Sequence, residues 1–172
     1  LSLLIGLVSL AAWCFAPESK ATGLGLLLSG ILQTVRLVRW AGDRTLSDRL
    51  VLILHLGYAF VPAGFLLLGA AAFAVVPATA GIHAWTGGAV GTMTLAVMIR
   101  ASRGHTGRAL VADATTECIF GLILVAGLAR ICGAIEPSIP AFIWVAGFAW
   151  VAAFLSFAAA YGPILCGPRI KG

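Results

Sequence analysis

Three histidines, His55, His83 and His105, are the side chains of this sequence best suited to chemistry. Neutral imidazole is the commonest metal ligand, and it changes charge near neutral pH. Each histidine admits three readings: a hydrogen-bonded structural group, a ligand to metal or haem, or a proton relay. His55 precedes Tyr58 by three positions, which puts both on one helix face. His83 opens a long apolar run. His105 lies in SRGHTGR, residues 102–108, among glycines, hydroxyls and the cations Arg100, Arg103 and Arg108. Glycines permit tight backbone turns, and arginines grip carboxylates or phosphates through two parallel hydrogen bonds. Haem propionates or lipid headgroups suit such a loop better than a nucleotide, because the GxxxxGK[ST] pattern is absent. A basic loop with turn glycines is the plainer reading.

A second polar set comprises Gln33, Arg36 and Glu117. Gln33, Arg36 and Trp40 share one helix face. Asp113 and Glu117 lie one turn apart near the expected start of a helix, where carboxylates complement the helix dipole. Glu117 falls about 10 Å inside that helix. Ionisable groups at such depth are paired or functional, and ion-pairing with an arginine and direct function both stay open. GxSxG, HExxH and zinc-type Cys/His spacings are missing, so no catalytic residue is assigned. Cys14, Cys118, Cys132 and Cys166 are widely spaced and read as buried small hydrophobes.

The elements that carry these residues are membrane helices. The chain is 61% hydrophobic and only 10% charged, against about 25% charged in soluble domains. The expected fold is all-α, a polytopic transmembrane bundle in one domain over residues 1–172. Its helices are expected at about 1–16, 21–40, 48–76, 79–101, 110–131 and 139–161. The connections leave no room for a separate soluble domain. Pro62 should kink the third helix beside His55 and Tyr58, and Pro163 should stop the last. Gly87 and Gly91 form a GxxxG pattern that serves close helix packing or makes room for a flat ligand. The first helix begins at Leu1 inside an apolar run, so it is expected to be truncated and the chain to be the C-terminal half of a longer protein. The net charge of +5 collects at helix ends, as the positive-inside rule expects, and does not indicate nucleic acid. Arg36, Arg39, Arg44, Arg49, Arg100, Arg103, Arg108, Arg169 and Lys171 mark the cytoplasmic side, with the C-terminus inside.

These lengths also limit which histidines share a site. From His55 to the expected helix end and back to His83, the depth difference is roughly 25 Å, too far for one iron. A site shared by His55 and His105, its anions met by Arg100, Arg103 or Arg108, is geometrically possible. His83 then belongs to a separate outer site or is structural.

Three runs, LHLGYAFVPAGFLLLGAA, HAWTGGAVGTMTLAVMIRASRGHTGR and YGPILCGPRIKG, resemble the C-terminal half of NnrS proteins. The likeness extends from about Gln33 to the end, although an Asp is expected where Ile170 or Lys171 stands. The resemblance implies a bacterial inner-membrane protein of about twelve helices, of which this chain would be the last six. It further implies haem and copper as cofactors, and a role in nitric oxide metabolism and resistance to nitrosative stress. The partners implied are the lipid bilayer, the missing N-terminal half, and nitric oxide or iron-nitrosyl species. Three activities remain open: a haem/copper protein handling nitric oxide or affected iron, a transporter for a small anion or metal complex lined by Gln33, Arg36, His55, Tyr58 and Glu117, and an enzyme reducing nitric oxide.

Overall fold

The computed structural model describes residues 2–40 and 42–168. Leu1 and the tail positions Arg169, Ile170 and Lys171, with the expectations placed on them, lie outside the described residues. Among those described there are six helices and no strands: α1 (Ser2–Phe15), α2 (Lys20–Arg39), α3 (Arg49–Ala71), α4 (Ala78–His105), α5 (Ala114–Ile135) and α6 (Ala141–Cys166). All but α1 are long and apolar enough to cross a membrane. Leu28, Val38, Phe148 and Leu155 are exposed, on the faces that lipid covers in a bilayer. Cys14, Cys118, Cys132 and Cys166, expected to be buried, are exposed as well because each lies on an outward helix face.

Small residues bring the helices together. A Cβ on Gly30 would lie 2.6 Å from Leu66, and one on Gly69 2.7 Å from Leu27, so α2 and α3 pack across bare backbone. Ser29 donates to Ser9 at 3.1 Å and joins α2 to α1. Antiparallel packing of α3 on α4 sets Gly57 beside Thr92, Gly64 beside Trp85, and Gly88 under Phe60. One core cluster, with Ile53, Leu95, Ile99, Ile119, Ile123 and Phe157, fills the arginine-rich end. A smaller one, Leu26, Phe65 and Leu68, lies toward the other end beside Trp13 and Trp85.

Several boundaries differ from expectation, each for a local reason. α3 stops at Ala71, not Val76. The Val75 N–H bonds back to Ala70 at 3.2 Å while Ala74 turns left-handed at φ 58°. That reversal closes a helix whether or not glycine is present. α4 continues four residues past Ala101, so His105 ends a helix and does not sit in a loop. Its stop repeats the same device: Arg108 N–H bonds Arg103 at 2.9 Å, with Gly107 at φ 74°. α5 begins at Ala114, not Leu110, which makes Asp113 its N-cap and places Glu117 in the first turn instead of about 10 Å inside. α6 runs through Pro163 to Cys166 and does not stop at the proline, although Pro163 has no N–H to give the Ala159 carbonyl.

The middle of α4 is not α-helical. Residues Ala84–Val90, AWTGGAV, form a π-helix between two α-helical parts. Long π segments are rare and collect at functional sites. Here the wider turn lies opposite Pro62, and the Trp85 indole N–H donates to the Val61 carbonyl at 2.9 Å. The GxxxG glycines divide their roles: Gly91 lies against Trp150, whereas a Cβ on Gly87 would touch nothing within 4 Å.

Candidate functional site

Asp48 caps α3 by accepting from the N–H groups of Leu50 and Val51, at 3.1 and 3.2 Å, and the turn after that places His55. The ring nitrogen Nδ1 lies 3.1 Å from the Val51 carbonyl. A carbonyl only accepts, so Nδ1 carries the proton, and Nε2 has no hydrogen-bond partner among the described residues. Metal-bound histidines are held in this way, one nitrogen donating to backbone while the other ligates. The ring borders an apolar recess of about 410 Å³ lined by Leu37, Val38, Leu46, Leu52 and Leu56. Gly42 closes on the other side; a Cβ there would stand 2.9 Å from Cδ2 of the imidazole.

The end of α2 completes this corner. Tyr58 donates to the side-chain oxygen of the buried Gln33 at 2.8 Å. Trp40 packs on Tyr58 with centroids 4.6 Å apart and meets His55 edge-on at 6.3 Å. The Arg36 guanidinium lies 5.2 Å over the Trp40 ring, and a recess of about 510 Å³ beside it is lined by Arg36, Arg39 and Trp40. Gln33, Arg36, His55 and Tyr58 are therefore one cluster, with Trp40 its centre.

The remaining expected residues lie elsewhere. Glu117 pairs with Arg49 at 3.5 Å between α5 and α3, both side chains about half exposed. Arg103 closes a ring of hydrogen bonds. Its Nε donates to Tyr161 at 3.2 Å, and Tyr161 to the Thr116 hydroxyl at 2.6 Å. Thr116 donates to Asp113 at 2.8 Å, and Asp113 pairs back to Arg103. Arg103 also donates to the Ala109 carbonyl. The backbone N–H of Thr116, then its hydroxyl, and the Arg103 charge hold the Asp113 carboxyl below its ordinary value. Arg100 and His105 are exposed and do not line the His55 recess. Arg108 keeps one buried guanidinium nitrogen without a hydrogen-bond partner among the described residues, a donor able to take an anion oxygen.

His83 lies near the opposite end of the bundle, lining a recess of about 550 Å³ with Arg130 and Trp150. With Gly57 level with Thr92 and Gly64 with Trp85, His83 stands near the height of Phe65, about ten residues from His55. That is roughly 15 Å along the helix axis, less than the expected 25 Å because α3 ends early. It remains too far for one iron.

Among the described residues, no three His, Cys, Asp or Glu side chains gather closely enough to hold a metal ion. A copper site drawn from these residues alone does not fit. A haem needs only one imidazole from a chain, and His55 meets that demand in tautomer and in its apolar wall.

The family model described as NnrS protein matches residues 1–169, and the chain belongs to that family. No curated protein and no solved structure matches it.

Proposed function

We propose that this NnrS family chain is a haem-binding membrane protein of nitric oxide metabolism or nitrosative-stress resistance, in which His55 would hold the iron. The observation that carries the reading is the Nδ1 contact to the Val51 carbonyl, which makes Nε2 the ligating nitrogen of a ring bordered by an apolar recess. Haem, when bound, supplies an iron able to take nitric oxide as a ligand. The protein's own contributions are separable. Val51 fixes the tautomer, Gly42 lets the 42–45 turn lie against the ring, and the leucine wall gives the ring an apolar border. Arg36 and Arg39 offer guanidinium groups for acidic substituents. Tyr58, held by Gln33, positions Trp40 against the imidazole. The nitric oxide role rests on the family, not on any residue named here. Copper enters no step, since the donor set does not accommodate it.

The test is the absorption spectrum of the protein purified from haem-sufficient membranes. A Soret band is expected. His55→Gly should lose most of it and regain it with added imidazole, while His83→Ala and His105→Ala keep it. Full haem content in His55→Gly overturns the assignment, as does an absent Soret band in the unaltered protein.

Transport of a small anion or metal complex is a second reading, favoured by the π segment of α4 facing Pro62 of α3. Irregular backbone in mid-membrane is a feature of transporters. Vesicle uptake persisting after complete haem removal would select it.

A further inference from the structure

The recess holding His83 is built differently from the His55 corner. Gly87 on α4 and Gly147 on α6 both line it, and a Cβ at either would meet nothing within 4 Å. Glycine backbone thus borders the recess from two helices, and a ligand can lie close against each. The Trp150 indole, anchored against Gly91, forms part of its lining. Two nitrogen donors, His83 and Arg130, share this space with apolar residues such as Val90. The ion pairs among the described residues are Arg49–Glu117 and Arg103–Asp113, so neither carboxylate engages Arg130. A cation inside a membrane span usually has a partner or serves a ligand. Gly87 belongs to the π-helical segment, whose next residue, Gly88, lies against Phe60 on the other side.

A ligand for this space must be flat, to lie close against two glycine backbones beside an indole. It must present oxygen acceptors to an imidazole and a guanidinium. It must also tolerate an apolar, membrane-level surround about 550 Å³ in volume. A phospholipid satisfies the last two demands and not the first. We infer that the slot between α4, α5 and α6 is a second binding site, for the ring of a membrane-soluble quinone, with its carbonyl oxygens toward His83 and Arg130. This site is independent of the haem reading, because none of its residues belongs to the His55 cluster.

The test is equilibrium binding of a decyl-substituted benzoquinone to the full chain in detergent, with dodecyl phosphate as competitor. Saturable binding is expected, weakened at least tenfold by Arg130→Gln and by Gly147→Leu, and unaffected by His55→Gly. Should Gly147→Leu fail to fold, as judged by helical circular dichroism, Val90→Phe at the exposed lip fills the same slot. Unchanged affinity in Arg130→Gln or in a folded slot-filling variant overturns the proposal. Displacement of the quinone by equimolar dodecyl phosphate also overturns it, and gives the site to an anionic lipid.

Discussion

Asp113 shows how much one side chain organises at the arginine-rich end. It caps α5 through the Thr116 N–H at 2.9 Å and joins the ring through Arg103, Tyr161 and Thr116. Asp113→Ala should cost about 1 kcal/mol, the usual loss for an N-cap, and Asp113→Asn somewhat less, read as a lowered thermal midpoint. The pH dependence follows from sign. The folded pKa lies below the ordinary value of 3.8, so the folded state prefers the carboxylate. The stabilisation is complete above the unfolded pKa and is lost as pH falls through the lower folded one. Melting curves of the unaltered protein and Asp113→Asn should therefore converge on acidification below about pH 4; a gap that widens there contradicts the network. Tyr161→Phe is a sharper probe, since it leaves the buried Thr116 oxygen and Arg103 Nε short of a partner. A loss of about 1–2 kcal/mol is expected, with no change in haem content.

At the scale of helices, the two turn-closing motifs differ in the residue that takes the left-handed position: Gly107 after α4 and Ala74 after α3. A non-glycine residue there is strained by about 1–2 kcal/mol, partly offset by the greater unfolded-state freedom of glycine. Ala74→Gly should leave the thermal midpoint unchanged or raise it, whereas Gly107→Ala should lower it by about 1 kcal/mol worth of stability. Equal destabilisation by both would remove the turn argument. Packing glycines make a parallel contrast. A Cβ at Gly64 would stand 2.1 Å from Trp85 Nε1, but one at Gly121 meets nothing within 4 Å. Gly64→Ala should cost about 1–3 kcal/mol by overpacking, and Gly121→Ala almost nothing. These features also mark the limit of what was legible in sequence. Apolar runs of membrane length gave the helices, and proline, glycine and aspartate placed most ends within a few residues. Ala74 carries no glycine signal, so the early end of α3 was hidden. The π segment was hidden too, because AWTGGAV reads as ordinary helix until Pro62 and Trp85 are set side by side. The spacing of Gln33, Arg36 and Trp40 did announce one face, and the structure gathers them with Tyr58 and His55. Ion-pairing with an arginine is one of the two readings the sequence leaves open for Glu117, and the packing of α5 beside α3 makes Arg49 that arginine.

The whole bundle has one basic end and one nearly neutral end. Among the described residues, Arg36, Arg39, Arg44, Arg49, Arg100, Arg103 and Arg108 belong to the end where α2 and α4 finish and α3 and α5 begin, while Lys20 and Arg130 belong to the other. Retention of Lys and Arg in short loops is counted residue by residue, and carboxylates contribute little. The pairing of Arg49 with Glu117 and Arg103 with Asp113 therefore does not cancel the bias. The basic end should face the cytoplasm, which puts the His55 corner toward that side and the His83 slot toward the other. Two exposed positions report this directly: Ala109 in the connection between α4 and α5, and Ser138 between α5 and α6. In a background where Cys14, Cys118, Cys132 and Cys166 are replaced by alanine, Ser138→Cys should react with a membrane-impermeant maleimide added to intact spheroplasts. Ala109→Cys should react only after lysis. The opposite pattern reverses the orientation and, with it, the side from which each recess is reached. Reaction of both from outside is excluded by geometry if α5 crosses the bilayer, because its 22 residues reach roughly 33 Å at 1.5 Å each, about the thickness of the hydrocarbon core.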